Sequence, residues 1–161
     1  MDLRLDNKTA LVAGSTQGIG KAVAIEMACL GARVILIARN EEKLNEVKDE
    51  LNSINPANHK IIVADFSDSE SLKSKLEAEL ANEKEIHILV NNTGGPPAGR
   101  ASDAKIDEFR IAFEMHSVCN HILVTNCTPL MKKAGYGRII NVISPSVNQL
   151  WPNLGVSNTI R

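Results

Sequence analysis

The sequence predicts an α/β fold, a doubly wound parallel sheet with helices on both faces. Two observations carry this expectation. Short apolar runs alternate with longer helical patterns along nearly the whole chain. The short runs are apolar almost throughout, as strands buried on both faces must be. With 161 residues, 43% of them apolar and 23% charged, the chain is long enough for one domain with its own core. Right-handed crossovers make 3-2-1-4-5 the natural strand order.

The elements follow in order. "TALVAG" is a buried strand, and "IGKAVAIEMACLG" a helix with Ala22, Ile25, Ala28 and Cys29 on one face and Gly31 as its stop. "RVILIA" is the second strand. "NEEKLNEVKDELNSI" is an amphipathic helix with Leu44, Val47, Leu51 and Ile54 in a stripe, Asn40 as N-cap and Asn55-Pro56 as its close. "KIIVADF" is the third strand, and the helix after it has Ser67 and Glu70 at capping-box spacing. "IHILVNN" is the fourth strand and "GGPPAG" a loop. From Asp103 to Lys133 runs one long helical pattern, with Met115, Cys119, Ile122, Asn126 and Leu130 roughly on one face and Pro129 expected to bend or end it. "GRIINVIS" is the fifth strand. The tail after it reads as loop with a helix just starting. No repeat or linker interrupts the pattern.

Composition narrows the partners. A net charge of −1 without a basic block argues against nucleic acid. No stretch nears the ~20 apolar residues of a membrane span, and "MDLRLDNKTA" lacks the apolar core of a signal peptide. Cys29, Cys119 and Cys127 lie in apolar patterns without metal-type spacing, which fits buried thiols in a reducing cytoplasm. His59 and His87 precede strands and read as surface residues. His116 and His121 stand five apart, off one helical face, so no metal pair is expected.

"LVAGSTQGIG" carries the first chemical signal. Glycines at 14, 18 and 20 stand between a strand and a helix. Gly14 supplies an unusual backbone shape, Gly18 lets the chain approach a diphosphate, and Gly20 lets the helix pack closely. Free amides at the helix start favour an anion, and Ser15 and Thr16 offer hydroxyls to it. A tight turn with no ligand is the plain alternative. At the end of the second strand, Ala38 stands where a carboxylate would hold an adenosine ribose, and Arg39 follows. That pair favours NADP(H) over NAD(H), against the plain alternative that an arginine beginning a polar helix is a solvated side chain.

With those residues, the chain resembles the short-chain dehydrogenase/reductase family, and in pattern its 3-oxoacyl-[acyl-carrier-protein] reductase-like members. "AGSTQGIG" is similar to the family's T-G-x-x-x-G-I-G, with Ala13 in place of threonine. "ADFSD" is similar to the segment whose aspartate, here Asp65, meets the adenine. "NNTGG" is similar to N-N-A-G, and "TPLMKKAGYGRIINVIS" to the stretch that carries the catalytic serine. The resemblance implies a Rossmann-type domain over 1–161. It places cofactor contacts at Gly14, Ser15, Thr16, Gly18, Ile19, Gly20, Arg39, Asp65, Phe66, Asn91, Thr93 and Gly94.

The family's active-site roles fall on less usual residues. Ser144 matches the serine that orients a carbonyl. The asparagine position falls on His116, the tyrosine position on Ser157 and the lysine position on Arg161, so "SNTIR" stands where Y-x-x-x-K is expected. An aliphatic hydroxyl is a much weaker acid than a lysine-assisted phenol. Arg161 keeps its charge and can still bond a ribose. His116 reads as a partly buried, hydrogen-bonded helix histidine; its imidazole also titrates near neutrality and offers a replacement proton donor. Tyr136 belongs at the far end of the sheet.

Family members continue beyond the point matching Arg161, so the domain is expected to be C-terminally shortened, with an open sheet edge and apolar surface on the long helix. The chain is then a fragment, or a second copy covers segment 103–133. Two functions follow: an NADP(H)-dependent oxidoreductase reducing a ketone or 3-oxoacyl substrate, or a non-catalytic nucleotide-binding or interaction module.

Overall fold

The computed structural model describes residues 3–161. Five strands, β1 (Thr9–Ala13), β2 (Arg33–Ala38), β3 (Lys60–Val63), β4 (Ile88–Asn91) and β5 (Arg138–Asn141), form one sheet in the order β3-β2-β1-β4-β5. Every pairing is parallel. β1, β2 and β4 are buried because both faces are covered, and period-two alternation sorts their side chains. Leu11, Ala13, Ile35, Ile37, Ile62 and Leu89 pack on one face with α3 (Ser69–Leu80) and α5 (Cys119–Lys133). Ala10, Val12, Val34, Leu36, Ile88 and Val90 pack on the other with α1 (Gly18–Cys29) and α2 (Glu41–Ile54).

Local chemistry shifts several expected details. α1 turns Gly20, Ala24, Met27 and Ala28 inward, and leaves Ala22 and Cys29 exposed. Its sequence is apolar almost all round, so the stripe alone does not fix the phase. Gly31 does end it, at φ +96°. On α2, Leu44, Val47 and Leu51 are buried, but Ile54, its last residue, is exposed. Asp68, not Ser67, caps α3, accepting from the Ser71 N–H at 3.0 Å. Ser67 instead bonds back to Asp65.

The long helical pattern divides into α4 (Ile106–Phe113), a π turn (Glu114–Val118) and α5. The Cys119 N–H bonds to the Glu114 carbonyl, five residues back. Pro129 does not end α5, which runs on to Lys133. A 3₁₀ turn (Pro145–Val147) and α6 (Gly155–Ile160) follow β5. Every residue of β5 is exposed, and Ile139 and Ile140 open to the two sides of that edge.

His59 and His87 are buried, contrary to the surface positions expected for them. Each precedes a strand and accepts, at Nδ1, a backbone N–H of the neighbouring strand: Val34 N–H at 2.9 Å and Thr9 N–H at 3.0 Å. Burial pushes both imidazoles below their ordinary range. They close the amino-terminal end of the sheet, where Arg33 also grips Glu83 through two bonds of 2.6 and 3.0 Å.

Candidate functional site

The carboxyl-terminal ends of β1, β2, β3 and β4 open on a cleft of about 500 Å³. This is where an open parallel sheet binds ligands, because the helices beyond it begin there with unpaired amides. The loop after β1 is held to the loop after β4. The Asn92 amide donates to the Ala13 and Gly14 carbonyls at 3.3 and 3.4 Å. Gly14 sits at φ +60° with the Asn92 carbonyl 2.5 Å from where a Cβ would stand. A Cβ on Gly20 would meet the Gly14 carbonyl oxygen at 2.2 Å. Gly18, at φ +54°, faces open space.

The amino ends of the three nearby helices differ in chemistry. Asn40 caps α2, with Glu41 and Glu42 in its first turn, and Asp68 caps α3, with Glu70 in its first turn. α1 starts at Gln17 with no side-chain cap and no acid in its first turn. Its positive dipole end and its amides are left for an external anion.

Of the residues expected at this site, Gly14, Thr16, Gly18, Ile19, Arg39, Asp65, Phe66, Thr93 and Gly94 line the cleft together. Asp65 accepts from the Ser67 N–H and hydroxyl at 2.9 and 2.8 Å, and these bonds hold its carboxyl below the usual range. Gly20 lies behind the loop as a packing residue. Ser15 is turned inward: it is fully buried, and its hydroxyl donates to the Ile37 carbonyl at 3.4 Å, not toward the cleft. Asn91 is also buried and donates to Asn141 Oδ1 at 2.7 Å, which directs it to a different cavity. Ala38 lines it beside Arg39, and Gln17, Ala64, Asn92, Gly95 and Met115 line the cleft without having been singled out as contacts from the sequence. Asn92 and Gly95 had a usable signal, as they flank Thr93 in the same polar loop; Met115 had none.

Beside the cleft lies a second cavity of about 330 Å³, lined by residues including Asn91, His116, Asn120, His121, Asn141 and Arg161. His116 and His121 share it, contrary to the expectation from α-helical spacing. The π turn adds a residue to the rotation, so positions five apart come to one side. Among the described residues, no cluster of three His, Cys, Asp or Glu is arranged to hold a metal. His116 Nδ1 meets Thr93 Oγ1 at 2.7 Å, so one hydrogen bond joins the two cavities. Burial, and then the Arg161 charge, hold His116 below its ordinary range. Arg161 also approaches Gly95 of the cleft; its Nη1 lies 3.2 Å from the position of a Cβ there.

The other two expected catalytic residues stand apart from both linings. Ser144 Oγ accepts from the Ser146 N–H at 3.2 Å and the Ser146 hydroxyl at 2.8 Å. Ser157 is buried on α6, which packs against the Ser144 turn. α6 is tied to the loop after β4 by the bonds Gly99 N–H to Asn153 carbonyl (2.7 Å) and Gly155 N–H to Gly99 carbonyl (2.8 Å). Tyr136 lies at the far end of the sheet, between Lys8 and Arg138.

Known proteins resemble this chain in sequence and in fold. An uncharacterized oxidoreductase of Staphylococcus epidermidis is 29% identical over 143 residues, covering 89% of this chain and 60% of the relative. The NADPH-dependent reductase BacG of Bacillus subtilis is 27% identical over 157 residues, covering 95% of this chain and 58% of the relative. L-sorbose reductase from Gluconobacter frateurii, solved with NADPH and L-sorbose, matches with a TM-score of 0.90 at 27% identity, covering 99% of this chain and 61% of its own. The chain therefore spans about three-fifths of the length of these proteins. With residues 8–156 matching the family pattern, the chain belongs to the short chain dehydrogenase family.

Proposed function

We propose that the cleft binds NADP(H) and that residues 1–161 form the nucleotide-binding part of a reductase acting on a ketone or 3-oxoacyl substrate. One observation carries this reading: the uncapped start of α1 opens at Gly18 beside Arg39, and Ala38 offers no carboxylate. The residues present fit the group. The α1 amides suit a diphosphate, Arg39 suits a ribose 2′-phosphate and Asp65 suits an adenine amine. A bound nicotinamide would supply the hydride. Ser144 has both hydroxyl lone pairs occupied by Ser146, so its remaining capacity is to donate, which suits a carbonyl oxygen. NADPH dependence in BacG and the NADPH complex of L-sorbose reductase support the choice of nucleotide.

A second reading, a nucleotide-binding module without turnover, is favoured by Ser157. Its buried aliphatic hydroxyl cannot serve as the acid that a carbonyl reduction needs. Free Cys29, Cys119 and Cys127 suit a reducing cytoplasm. Exposed Ile106, Ile111 and Phe113 on segment 103–133 support self-association there.

Titration of NADPH and NADH by nicotinamide fluorescence tests the proposal. NADPH should bind the tighter. Arg39→Asp should lose about 10- to 100-fold of NADPH affinity, the equivalent of one charge-assisted hydrogen bond of about 1.5–3 kcal/mol. Equal binding of both nucleotides, unchanged in Arg39→Asp, defeats it. Turnover of a keto-substrate panel, lost in Ser144→Ala, separates the reductase from the module.

A further inference from the structure

The two edges of the sheet are finished differently. At the β3 edge, Lys75 Nζ donates to the Val63 carbonyl at 2.8 Å, and Lys60 reaches Glu79 and Glu83. An edge blunted by lysines resists a further strand. At the β5 edge every residue is exposed, and Ile139, Ile140 and Ile143 are 43, 46 and 58% exposed. The direction of the β5 backbone groups is fixed. The Arg138 and Val142 N–H groups bond inward, to the His87 and Asn91 carbonyls, and Ile140 shares their side by the period of two. The N–H and C=O groups of Ile139 and Asn141 therefore point outward, where β5 has no neighbouring strand. Arg138 Nη1 donates to the Gly137 carbonyl at 2.7 Å and so closes the open run at its start.

We propose that a second copy of this chain pairs with the β5 edge, antiparallel and about a twofold axis at Ile140, so that the two sheets become one. The outward groups select this register. Ile139 of each copy faces Asn141 of the other, and each such pair exchanges two hydrogen bonds. Ile140 meets its own copy across the axis. Arg138 faces Val142, so the two guanidinium groups stand apart and no charge is set opposite its like. Ile140 is in register with Val90, and its pair prolongs the apolar row on the α1 and α2 face. Pairing of β5 with the β3 edge of another copy would need the Val63 carbonyl that Lys75 holds, and it would build a head-to-tail chain. The twofold pairing joins two open edges and closes. The paired strands are short and make less than a standard interface, so the association is weak and rises with concentration. This surface is separate from segment 103–133.

Sedimentation equilibrium from about 10 to about 500 μM, the range of a weak interface, tests this. The chain is run beside its Phe113→Lys variant, which removes association through segment 103–133. In both, the average mass should climb from one chain toward two. Adding Ile140→Lys to Phe113→Lys puts two ammonium groups on the axis and should hold the mass at one chain. Its Tm should stay near that of Phe113→Lys, because Ile140 is half-exposed. Disulfide capture reads the register. In a Cys29→Ser background, Ile140→Cys sets two thiols on residues whose Cα atoms stand about 4.5 Å apart, a span that a disulfide bridges. Ile140→Cys should form a covalent dimer under mild oxidation, and Arg138→Cys, opposite Val142, should not. A Phe113→Lys chain that stays monomeric at every concentration overturns the proposal. So does a dimer that survives Ile140→Lys, or growth beyond two chains. If Ile140→Lys fails to fold, the disulfide yields of Ile140→Cys and Arg138→Cys still decide.

Discussion

Replacing Gly20 by alanine sets two opposing effects against each other. Gly20 lies in the first turn of α1. Alanine in a helix is favoured over glycine by up to about 1 kcal/mol. Its Cβ, however, would stand 2.2 Å from the Gly14 carbonyl oxygen, 2.7 Å from the carbonyl carbon and 2.7 Å from Asn92 Nδ2. The first two are backbone atoms and cannot rotate away. Overpacking of this kind costs about 1–3 kcal/mol. Displacing Asn92 adds about 1 kcal/mol for its bonds to the Ala13 and Gly14 carbonyls. The clash wins, for a net loss of about 2 kcal/mol, or about 4–8 °C in Tm for a domain of this size. Gly18→Ala is the control. It meets no atom within 4 Å and bears only left-handed strain at φ +54°. That strain is about 1–2 kcal/mol and is partly offset by the stiffer unfolded chain, so Tm should fall by about 2–4 °C. Thermal unfolding followed by circular dichroism reads both. A Gly20→Ala protein that melts higher than the native chain, or no lower than Gly18→Ala, refutes the close packing of this loop.

Three further outcomes are expected. His59, His87 and His116 are all held below the ordinary histidine range, so the folded chain resists protons that the unfolded chain takes up. Stability should be full above about pH 6.5 and fall as pH drops toward the folded values, by up to about 1.4 kcal/mol per pH unit for each ring; urea midpoints between pH 7.5 and 5.5 check the slope, and a flat profile contradicts it. Cys29 is exposed, whereas burial pushes Cys119 to about 11 and Cys127 to about 12, so native protein should label rapidly at Cys29 and denatured protein at all three, as mass spectrometry would show. Ser157→Tyr restores the family's phenol at a site only 5% exposed, so it should lower Tm by overpacking α6 without creating keto-substrate turnover; gain of turnover at native stability would show that the site has room.

The sheet was legible because its strands are apolar throughout and its breaks fall at Gly31, Asn55-Pro56 and the loop after β4. Most of the cleft was legible for a related reason: Gly14, Gly18 and Arg39 act through backbone shape and fixed charge, both of which follow from residue type. Three kinds of detail were hidden. The phase of α1 was ambiguous, because nearly all its faces are apolar. The inward turn of Ser15 depends on the Ile37 carbonyl, supplied by another strand. The π turn has no marker in "EMHSV", yet it changes which residues share a face with His116.

The two ends of the sheet differ in how completely their polar groups are paired, and that difference separates structure from chemistry. At the amino-terminal end, His59 and His87 take up the Val34 and Thr9 amides, and Arg33 and Lys60 converge on Glu83. A polar group paired in this way stabilises the fold and has nothing left to offer a ligand. At the carboxyl-terminal end, α1 has no side-chain cap, and Asn91 Oδ1, His116 Nε2, Asn120 Oδ1 and Asn158 Oδ1 are buried without protein partners. Unpaired buried groups persist in a stable domain only where something else compensates. On the α1 side the open amides and the dipole suit an anion. The two cavities share walls at two places, the 2.7 Å contact of Thr93 with His116 and the approach of Arg161 to Gly95, so the polar groups left over at this end adjoin one another.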